Sequence, residues 1–519
     1  NDRITFGEAR RQYEALGAEL RQSAHFNVQP GDRVGIVMRN YPELLIAFLA
    51  ITAAGGVAVP LNALWKSEEL EYAVTDAACK VVIADPERMA LCVPFARKVG
   101  FKTVLVRGRV ADCAAARQMG AVAWDDVLAA GAARNRDDPR AAARLYKSIE
   151  AEDEAMIMYT SGSTGFPKGV VHTQRSVGTA MKIGEMASAA MPEPGGGVQL
   201  MAVPLFHITA LCPIGLFSIP AGSKIVMMRK WNAGKGLEVI QRERVTRFTG
   251  VPTMMVDLMG HPDFDPEKIS SLKNVLAGGA PVPPSQVSQM RAKTKSISSG
   301  QGYGLTETMA LGTVNRGADY LRHPTSCGKP VPLMVEVAII DPDTKRTVPT
   351  GARGEVCLKG AMIMKCYNNK PEKTAEAIDA NGYFHTGDIG KLDSGGFLYI
   401  LDRMKDLIIR GGENIDCSEV EAAIVSHPAV RECSVFGLPD ARLGEVVGAA
   451  VWVTDESVTA EALSKHAAQS IAKFKVPLPV NVFFHREALP KGATGKLDKK
   501  GLRKMYGEEV ERRPTKARL

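Results

Sequence analysis

The sequence predicts an α/β fold with a large N-terminal domain, which includes a β-rich subdomain, and a small C-terminal α+β domain. A length of 519 residues is too great for one hydrophobic core, because single cores stop growing at roughly 250–300 residues. From residue 33, short apolar runs alternate with amphipathic segments, which is typical of parallel strands joined by helices. After about residue 325, β-rich segments with turn signals favour antiparallel strands.

The N-terminal part begins with a helical pattern at 6–24 and then alternates strand and helix patterns. These are, in order, RVGIVM, PELLIAFLAI, VAVPL, SEELEYAVTDA and KVVIA. The alternation returns in SKIVMM, GLEVIQRERV, RFTGVP, TMMVDLMG and LKNVLAGGAPVP. Together they predict layered α/β subdomains in which helices cover both faces of largely parallel sheets.

The β-rich subdomain is predicted from VEVAIIDPDT, GEVCLKG and GGFLYILDRMKDLIIRGG. A smaller unit follows, with the order helix, strand, strand, helix in SEVEAAIVSHP, VRECSVFGLP, GEVVGAAVWV and TAEALSKHAAQSIA. We place the boundary near Asp402 to Lys405, which gives an N-terminal domain of residues 1–402 and a C-terminal domain of residues 403–519.

The longest apolar run, residues 44–61, approaches the length of a membrane span. Gly55, Gly56 and Pro60 instead predict a buried helix, a turn and a strand, so we expect no transmembrane segment. The chain begins at Asn1 and enters a helical pattern almost at once. We therefore expect that the native start is missing, which leaves a removed targeting segment open.

The net charge of +8 does not predict a nucleic-acid partner, because basic and acidic residues are mixed along most of the chain. Only residues 499–519 are dense in charge, with eight Lys/Arg against three Glu, and we interpret them as a solvated helix with a frayed end. The alternative is that these residues bind an anionic ligand or contact a membrane surface. The oligomeric state is a separate question, for which a homodimer stays open. Nine cysteines without a Cys-x-x-Cys pair favour a reducing compartment, the cytoplasm, over disulfides or a zinc site.

The segment YTSGSTGFPKGVVHT, residues 159–173, has the composition of a phosphate-binding loop. Its glycines relax the backbone so that N–H groups can converge on an anion, while its hydroxyls and Lys168 add donors. It is not a Walker loop, which would need glycine at 167 and a hydroxyl at 169. Taken alone, the segment also fits a mobile Ser/Gly-rich surface loop.

The string YTSGSTGFPKGV resembles the signature of the adenylate-forming superfamily, which includes acyl-CoA synthetases, aryl-CoA ligases, luciferases and peptide-synthetase adenylation domains. Further motifs in the family's order are GGVAVPLN, PLFH, GVPTM, AGGAPV, GQGYGLTE, GYFHTGDIG, DRMKDLIIRGGENI and PKGATGKLDKK, which span nearly the whole chain. The resemblance implies that a carboxylate attacks the α-phosphate of ATP to give acyl-AMP and pyrophosphate. The thiol of coenzyme A then displaces AMP.

The resemblance also implies the residues that hold ATP. The nucleotide-binding positions are Thr160, Ser161, Gly162, Ser163, Thr164, Gly165, Lys168, Gly279, Ala280, Gly302, Tyr303, Gly304, Thr306, Asp388, Arg403 and Lys496. Asp388 is expected at the ribose and Tyr303 at the adenine. Cations are needed because two anions about 4 Å apart repel by roughly 4 kcal/mol at an effective dielectric near 20.

Four residues are expected to take part in catalysis: Lys496, Glu307, Lys168 and His207. Lys496 would stabilise the adenylation transition state, and Glu307 would bind Mg²⁺. The implied acyl- or CoA-binding positions are His207, Gly278, Met309, Gly411, Gly412 and Glu413. Lys405 matches the hinge about which the C-terminal domain is expected to rotate between the two steps.

Two neighbouring positions depart from the family pattern. Asp416 and Cys417 stand where relatives commonly carry an aromatic or small residue followed by proline. The departure touches none of the residues assigned to the chemistry. We expect Cys417 to be a small structural residue, because the reaction requires no enzyme thiol.

The choice of acid is narrowed by the residues around the predicted acyl pocket. No acidic residue follows PLFH, so an amino-acid substrate is not expected. Phe206, Thr253 to Met255, Ala280 and Met309 to Leu311 favour an apolar pocket rich in methionine, as a medium- or long-chain fatty acid requires. A benzoate- or cinnamate-type acid is the alternative substrate. Loading of a carrier protein and a luciferase-like oxygenase activity stay open, whereas a non-catalytic nucleotide-binding protein is disfavoured because every phosphate and lysine position is present.

Overall fold

Within the residues that it describes, the computed structural model contains four β-sheets. The described residues are 3–138, 146, 148–160, 167–190, 193–278, 297–491 and 497–511. The strands, in chain order, are β1 (Arg33–Val37), β2 (Val57–Pro60), β3 (Cys79–Ala84), β4 (Lys102–Leu105), β5 (Val122–Ala123), β6 (Glu154–Thr160), β7 (Lys168–Thr173), β8 (Val198–Met201), β9 (Lys224–Met227), β10 (Arg247–Gly250), β11 (Asn274–Gly278), β12 (Ser298–Tyr303), β13 (Thr313–Arg316), β14 (Lys329–Pro330), β15 (Glu336–Ile340), β16 (Gly354–Lys359), β17 (Cys366–Tyr367), β18 (Phe384–Leu392), β19 (Leu398–Arg403), β20 (Ile408–Arg410), β21 (Glu413–Ile415), β22 (Val430–Asp440), β23 (Gly444–Val453) and β24 (Val482–His485). The described α-helices are α1 (Phe6–Gln22), α2 (Pro42–Ala53), α3 (Ser67–Asp76), α4 (Pro86–Val99), α5 (Ala114–Met119), α6 (Trp124–Asp137), α7 (Gln174–Ala190), α8 (Ala233–Glu243), α9 (Pro252–Gly260), α10 (Gly317–Arg322), α11 (Pro371–Ala377), α12 (Cys417–Val425), α13 (Ala460–Ala467) and α14 (Lys499–Glu511).

The first two sheets are largely parallel, as the alternating sequence pattern predicts. The first has the strand order β17-β7-β6-β2-β1-β3-β4-β5, with antiparallel pairing only at the β7 and β17 edge. The second has the order β14-β13-β12-β11-β10-β8-β9, with β13 and β14 antiparallel at its edge. Predicted site residues lie on β6 and β7 of the first sheet and on β12 of the second, the strand that pairs with the antiparallel β13.

The two later sheets are mainly antiparallel. β15, β16, β18 and β19 form a four-stranded antiparallel sheet, which confirms the change predicted after residue 325. The C-terminal sheet has the order β21-β20-β23-β22, with β24 parallel to β23. The helices α12 and α13 and the strands between them follow the predicted order.

The apolar run at residues 44–61 folds as predicted. Its first part is α2, most of whose apolar side chains are buried, with Leu44 and Phe48 fully inaccessible. Gly55 has a φ of +78°, a conformation that suits glycine, and Gly56 leads directly into β2. None of the described helices combines the length and the apolar character that a membrane span requires.

The C-terminal helix differs from the prediction of a solvated segment. Leu502, Tyr506 and Val510 of α14 are buried in one cluster, where the ring of Tyr506 stacks on Phe483 with centroids 3.9 Å apart. These positions repeat every four residues, so they form one apolar face among the basic residues. The predicted frayed end, residues 512–519, lies outside the described residues.

Lys499, at the start of α14, is likewise not the solvated lysine that the sequence suggests. Its Nζ lies 2.9 Å from Oε1 of Glu421 on α12. Burial alone would lower the pKa of Lys499, but the nearby carboxyl groups, first Glu421 and then Asp402, outweigh burial and raise that pKa. The ion pair therefore attaches α14 to α12.

Candidate active site

Tyr303, Asp388 and Arg403 meet between the second and third sheets. Asp388 on β18 lies directly across from Arg403 on β19, and Nε of Arg403 is 3.1 Å from Oδ1 of Asp388. The hydroxyl of Tyr303, on β12, donates to Oδ2 of Asp388 over 2.7 Å. Burial, reinforced by this carboxylate, raises the pKa of Tyr303 well above its ordinary value. The fold thus brings together three predicted nucleotide-binding residues that are distant in sequence.

Glu355 holds the turn that leads into Asp388. Its Oε1 accepts the main-chain N–H of Gly387 over 3.0 Å, and its Oε2 accepts from Nδ1 of His385 over 2.7 Å. Gly387 has a φ of +70°, in the left-handed region that favours glycine. The hydroxyl of Thr386 donates to the carbonyl of Val356 over 2.7 Å. This buried carboxylate therefore fixes the backbone immediately before Asp388.

The predicted phosphate loop connects β6 to β7. These strands pair antiparallel, so that Thr160 lies directly opposite Lys168, and residues 161–166 between them are outside the described residues. The ammonium of Lys168 lies over the ring of Tyr367, with Nζ 3.9 Å from the ring centroid. Burial lowers the pKa of Lys168, and the charge of Glu307 opposes that shift. Lys168 and Glu307 are thus close enough to influence each other.

Glu307 follows β12 in a short 3₁₀ turn, Thr306–Thr308, and is 8% exposed. Its Oε1 accepts the hydroxyl of Tyr367 over 2.8 Å. The preceding carbonyl, of Thr306, accepts from Nε2 of His172 over 2.8 Å. Burial lowers the pKa of His172 to about 4, so its imidazole is neutral near pH 7 and carries its proton on Nε2. His172, on β7, thereby ties the phosphate-loop strand to the turn that carries Glu307.

Glu307 also suits a magnesium ion. Among the residues that the structure describes, its second oxygen, Oε2, accepts no hydrogen bond. A single available carboxylate oxygen is what Mg²⁺ uses in nucleotide sites, where waters and phosphate oxygens supply most of its ligands. The donor set therefore fits this ion.

The acyl side of the predicted site is apolar where it is described. Met309 is fully buried, Leu311 is 6% exposed, and both lie in the main hydrophobic cluster with Met254 and Met255. His207 is half-buried, and its ring meets Phe206 edge-on at a centroid distance of 4.7 Å. The described acyl segments thus pack among apolar side chains.

Of two predicted glycines in this region, Gly304 is explained by close backbone packing, whereas Gly278 has room for a Cβ at an ordinary van der Waals distance. A Cβ on Gly304 would lie 2.3 Å from the carbonyl carbon of Ala310, so no larger residue fits there without a shift of backbone. Gly278 ends β11 beside Gly302 of β12, whose carbonyl would be 3.6 Å from a Cβ at residue 278. The ends of β11 and β12 therefore lie next to the turn that bears Glu307.

The predicted hinge and thiol-tunnel residues follow β19. Lys405 is exposed, yet partial desolvation of its ammonium, followed by the nearby charge of Arg403, lowers its pKa. Gly411 and Gly412 form the two-residue turn between β20 and β21, with φ values of +59° and +90°. Glu413, directly after them, is exposed. The two glycines are therefore required by the turn, and their proposed tunnel role is an additional hypothesis.

The two departures from the family pattern make contacts across the predicted domain boundary. Asp416 receives hydrogen bonds from the guanidinium of Arg353, with Nη2 2.9 Å from Oδ1. The main-chain N–H of Cys417 donates to Oδ2 of Asp402. Burial raises the pKa of Asp402 to about 6. Cys417 itself is fully buried, in agreement with a structural role.

Several predicted residues fall outside the described part of the chain. They are Ser161, Gly162, Ser163, Thr164, Gly165, Gly279, Ala280 and Lys496. Their roles remain predictions from the sequence. The described residues nevertheless form two groups, one around Asp388 and one around Glu307 and Lys168.

Sequence reasoning missed three residues that support these groups: His172, Glu355 and Tyr367. His172 and Thr306 are 134 positions apart, and Tyr367 and Glu307 are 60 apart. No periodicity or short motif connects positions at such separations. A prediction of which strands pair, in particular β17 with β7, is the signal that would have revealed Tyr367.

Comparison with protein-family models decides the family. The model described as AMP-binding enzyme matches residues 1–368, and the model for the AMP-binding enzyme C-terminal domain matches residues 419–496. The chain belongs to the AMP-binding enzyme family. It is thus an AMP-forming acyl- or aryl-CoA ligase by family, an acid–thiol ligase of the group that uses ATP and coenzyme A, as the sequence motifs predict.

Individual AMP-binding enzymes are similar to the chain over nearly its whole length. Long-chain-fatty-acid–CoA ligase FadD13 of Mycobacterium tuberculosis is 33% identical, with 93% of this chain and 90% of the relative covered. Feruloyl-CoA synthase of an Amycolatopsis species is also 33% identical, with 97% and 94% covered. The crystal structure of ATP-bound MatB from Rhodopseudomonas palustris superposes with a TM-score of 0.84 at 29% identity, with 98% of this chain and 95% of that chain covered.

Proposed function

We propose that the chain activates a medium- or long-chain fatty acid with ATP and transfers the acyl group to coenzyme A. The observation that supports this substrate is the acyl side of the site, where Met254, Met255, Met309 and Leu311 are buried in one apolar cluster. Flexible methionines adapt to an alkyl chain, and no described residue of these segments offers a charge to a polar substrate. An aromatic acid is the second candidate, because the feruloyl-CoA synthase is as similar to this chain as the fatty-acid ligase is.

In the first step, an oxygen of the acid attacks the α-phosphorus of ATP, and the bond to the bridging oxygen of the β-phosphate breaks. Asp388, which already binds two donors, would accept the ribose hydroxyls in competition with Tyr303. Lys168 would hold the departing pyrophosphate, and Lys496 would offset the negative charge that develops at the α-phosphate. Mg²⁺ bound through Glu307 would supply further neutralisation of phosphate charge.

In the second step, the thiolate of coenzyme A attacks the acyl carbon and AMP leaves. We propose residues 1–402 and 403–519 as the two domains and Lys405 as the hinge between them. Rotation there would withdraw Lys496 and bring Gly411, Gly412 and Glu413 to the thiol. Hinge rotation through a few boundary residues is a known way to rebuild one site for two reactions.

The test is mass-resolved analysis of products after incubation with Mg-ATP and a panel of alkyl and aromatic acids, with and without coenzyme A. We expect acyl-CoA, AMP and pyrophosphate with alkyl acids, and thioester only when coenzyme A is present. A preference for benzoates or cinnamates would move the assignment to the aryl-CoA ligases. Acyl-AMP that accumulates whether or not coenzyme A is added would contradict the proposed acceptor.

Gly412→Leu is expected to slow thioester formation on the order of tenfold or more while acyl-AMP formation stays near the wild-type rate. No described atom lies within 4 Å of a Cβ at residue 412, so a leucine side chain would project into space that the pantetheine arm needs. The measurement is the separate rate of each half-reaction.

A matched control removes the effect of backbone strain. Gly396, in the hairpin between β18 and β19, also has a positive φ, +77°, and no atom of the described residues lies within 4 Å of its Cβ position. Gly396→Leu introduces the same strain away from the proposed tunnel and should leave the ratio of the two rates unchanged. Equal effects of both variants would eliminate the tunnel role of Gly412.

A further inference from the structure

Tyr367 lies between the two charged groups of the candidate phosphate site. Its hydroxyl donates to Oε1 of Glu307 over 2.8 Å, and the face of its ring lies 3.9 Å from Nζ of Lys168. The residue is only 5% exposed. One side chain thus contacts both the proposed magnesium ligand and the proposed pyrophosphate-binding lysine.

The fold fixes Tyr367 firmly in this place. β17 pairs with β7 so that Tyr367 is opposite Val170, two residues after Lys168. The N–H of Tyr367 donates to the hydroxyl of Thr374 over 2.9 Å, and the N–H of Asn368 donates to the carbonyl of Gly169 over 2.7 Å. The backbone of Tyr367 is therefore hydrogen-bonded to α11, and the backbone of Asn368 is hydrogen-bonded to β7.

A second set of contacts extends this attachment to the other side of the predicted loop. The side chain of Asn368 donates to the carbonyl and the carboxylate of Asp76, over 2.8 and 3.1 Å. The same carboxylate accepts the hydroxyl of Tyr159, the residue before Thr160, over 2.7 Å. Tyr367 thus belongs to one hydrogen-bonded unit with the carbonyl of Gly169 on one side of the loop and the side chain of Tyr159 on the other.

The chemistry of a tyrosine suits the space between an ammonium and a carboxylate. A direct Lys168–Glu307 ion pair would use the N–H donors of the lysine and an oxygen of the glutamate on each other. The aromatic face attracts the ammonium through its quadrupole and leaves the N–H donors available for phosphate oxygens. The hydroxyl occupies only Oε1 of Glu307 and leaves Oε2 for a metal ion.

We propose that Tyr367 is a positioning residue that keeps Lys168 and Glu307 from pairing and directs both toward the same pyrophosphate group. This inference rests on the proposed function. The two parts of the tyrosine have different roles. The hydroxyl orients Glu307, the proposed magnesium ligand, and the ring orients Lys168. Each part can be removed by a different substitution.

The test measures ATP binding by calorimetry over a series of Mg²⁺ concentrations, with no carboxylic acid present and therefore no turnover. Tyr367→Phe should raise the Mg²⁺ concentration at half-maximal ATP binding roughly tenfold, since a hydrogen bond to a charged group is lost. At saturating Mg²⁺ its ATP affinity should stay near wild type. Tyr367→Leu should in addition weaken ATP binding at saturating Mg²⁺ by about fivefold, because the aromatic face is gone.

Tyr383→Phe is a matched control. The hydroxyl of Tyr383 also donates to a glutamate, Glu336, and its ring also faces a lysine, Lys359, at 5.3 Å. Tyr383 packs against a separate cluster of Ala338, Ile340 and Cys357, so its variant should reproduce the wild-type Mg²⁺ dependence. Thermal unfolding of each variant shows whether it is folded, and Tyr367→Phe alone suffices if the leucine variant does not fold.

Two outcomes would overturn the inference while leaving the proposed function in place. One is a wild-type Mg²⁺ midpoint for Tyr367→Phe. The other is an ATP affinity that falls by the same factor at every Mg²⁺ concentration, which would mean that the hydroxyl only supports the fold. A wild-type chain that binds no ATP would instead contradict the proposed function itself.

Discussion

Lys496→Ala is expected to slow acyl-AMP formation by a factor on the order of 100 to 1,000, the usual cost of removing one group that stabilises developing charge. Turnover of supplied acyl-AMP with coenzyme A should stay close to wild type, because the proposed hinge rotation removes Lys496 from the site in that step. The two rates are measured separately, as pyrophosphate release with ATP and as thioester formation from synthetic acyl-AMP. Equal loss in both would contradict the assigned role.

The chain offers a control for this prediction a few residues further on. Lys500 is exposed at the start of α14, so Lys500→Ala removes the same charge from the same segment. We expect both half-reactions of this variant to match wild type. The residues that follow position 496 are well anchored, since the N–H of Asp498 donates to the carbonyl of Pro490 over 2.8 Å and Lys499 pairs with Glu421. An effect restricted to residue 496 would therefore reflect its own ammonium.

Asp388→Asn is expected to lower kcat/KM for ATP on the order of 100-fold, with little change in KM for the acid. Each hydrogen bond from a ribose hydroxyl to the carboxylate is worth roughly 1.5–3 kcal/mol, and the amide keeps the shape but loses the charge. The substitution also weakens the contact with Arg403, whose Nε is 3.1 Å from Oδ1. Initial rates over a matrix of ATP and acid concentrations measure both constants.

Asp393→Asn is the appropriate comparison for Asp388→Asn. Asp393 lies on the same hairpin and also accepts a tyrosine hydroxyl, that of Tyr399, over 3.1 Å. Its substitution should leave kcat/KM for ATP within about twofold of wild type, as surface changes away from a site usually do. If both variants lose the same factor, the loss at Asp388 would come from the hairpin rather than from the ribose.

The sequence was sufficient for most of the architecture because its strongest signals are local. Alternating apolar patterns identify the parallel strands, and Gly55 with Gly56 correctly divides the apolar run at 44–61. The motifs also identify Tyr303, Asp388 and Arg403, which the fold brings into contact. Motif order thus identified three residues that the fold brings into contact, and their nucleotide-binding role stays a prediction.

The supporting residues were not predictable in the same way. Tyr367, His172 and Glu355 act through strand pairing, and a two-residue strand such as β17 has no periodicity of its own. The buried face of α14 was missed for a different reason. Its apolar residues are separated by lysines and glutamates, so net charge obscured the four-residue spacing of Leu502, Tyr506 and Val510.

The contacts of Asp416 and Cys417 have a consequence for the construction of chimeras. A crossover at residues 402/403 would give Asp402 and Arg353 to one parent and their partners, Cys417 and Asp416, to the other. Where the second parent carries proline at the position of Cys417, Asp402 would lose a main-chain donor and remain as a buried carboxylate. Residues 353, 402, 416 and 417 should therefore be exchanged as a set, although they lie on both sides of the proposed boundary.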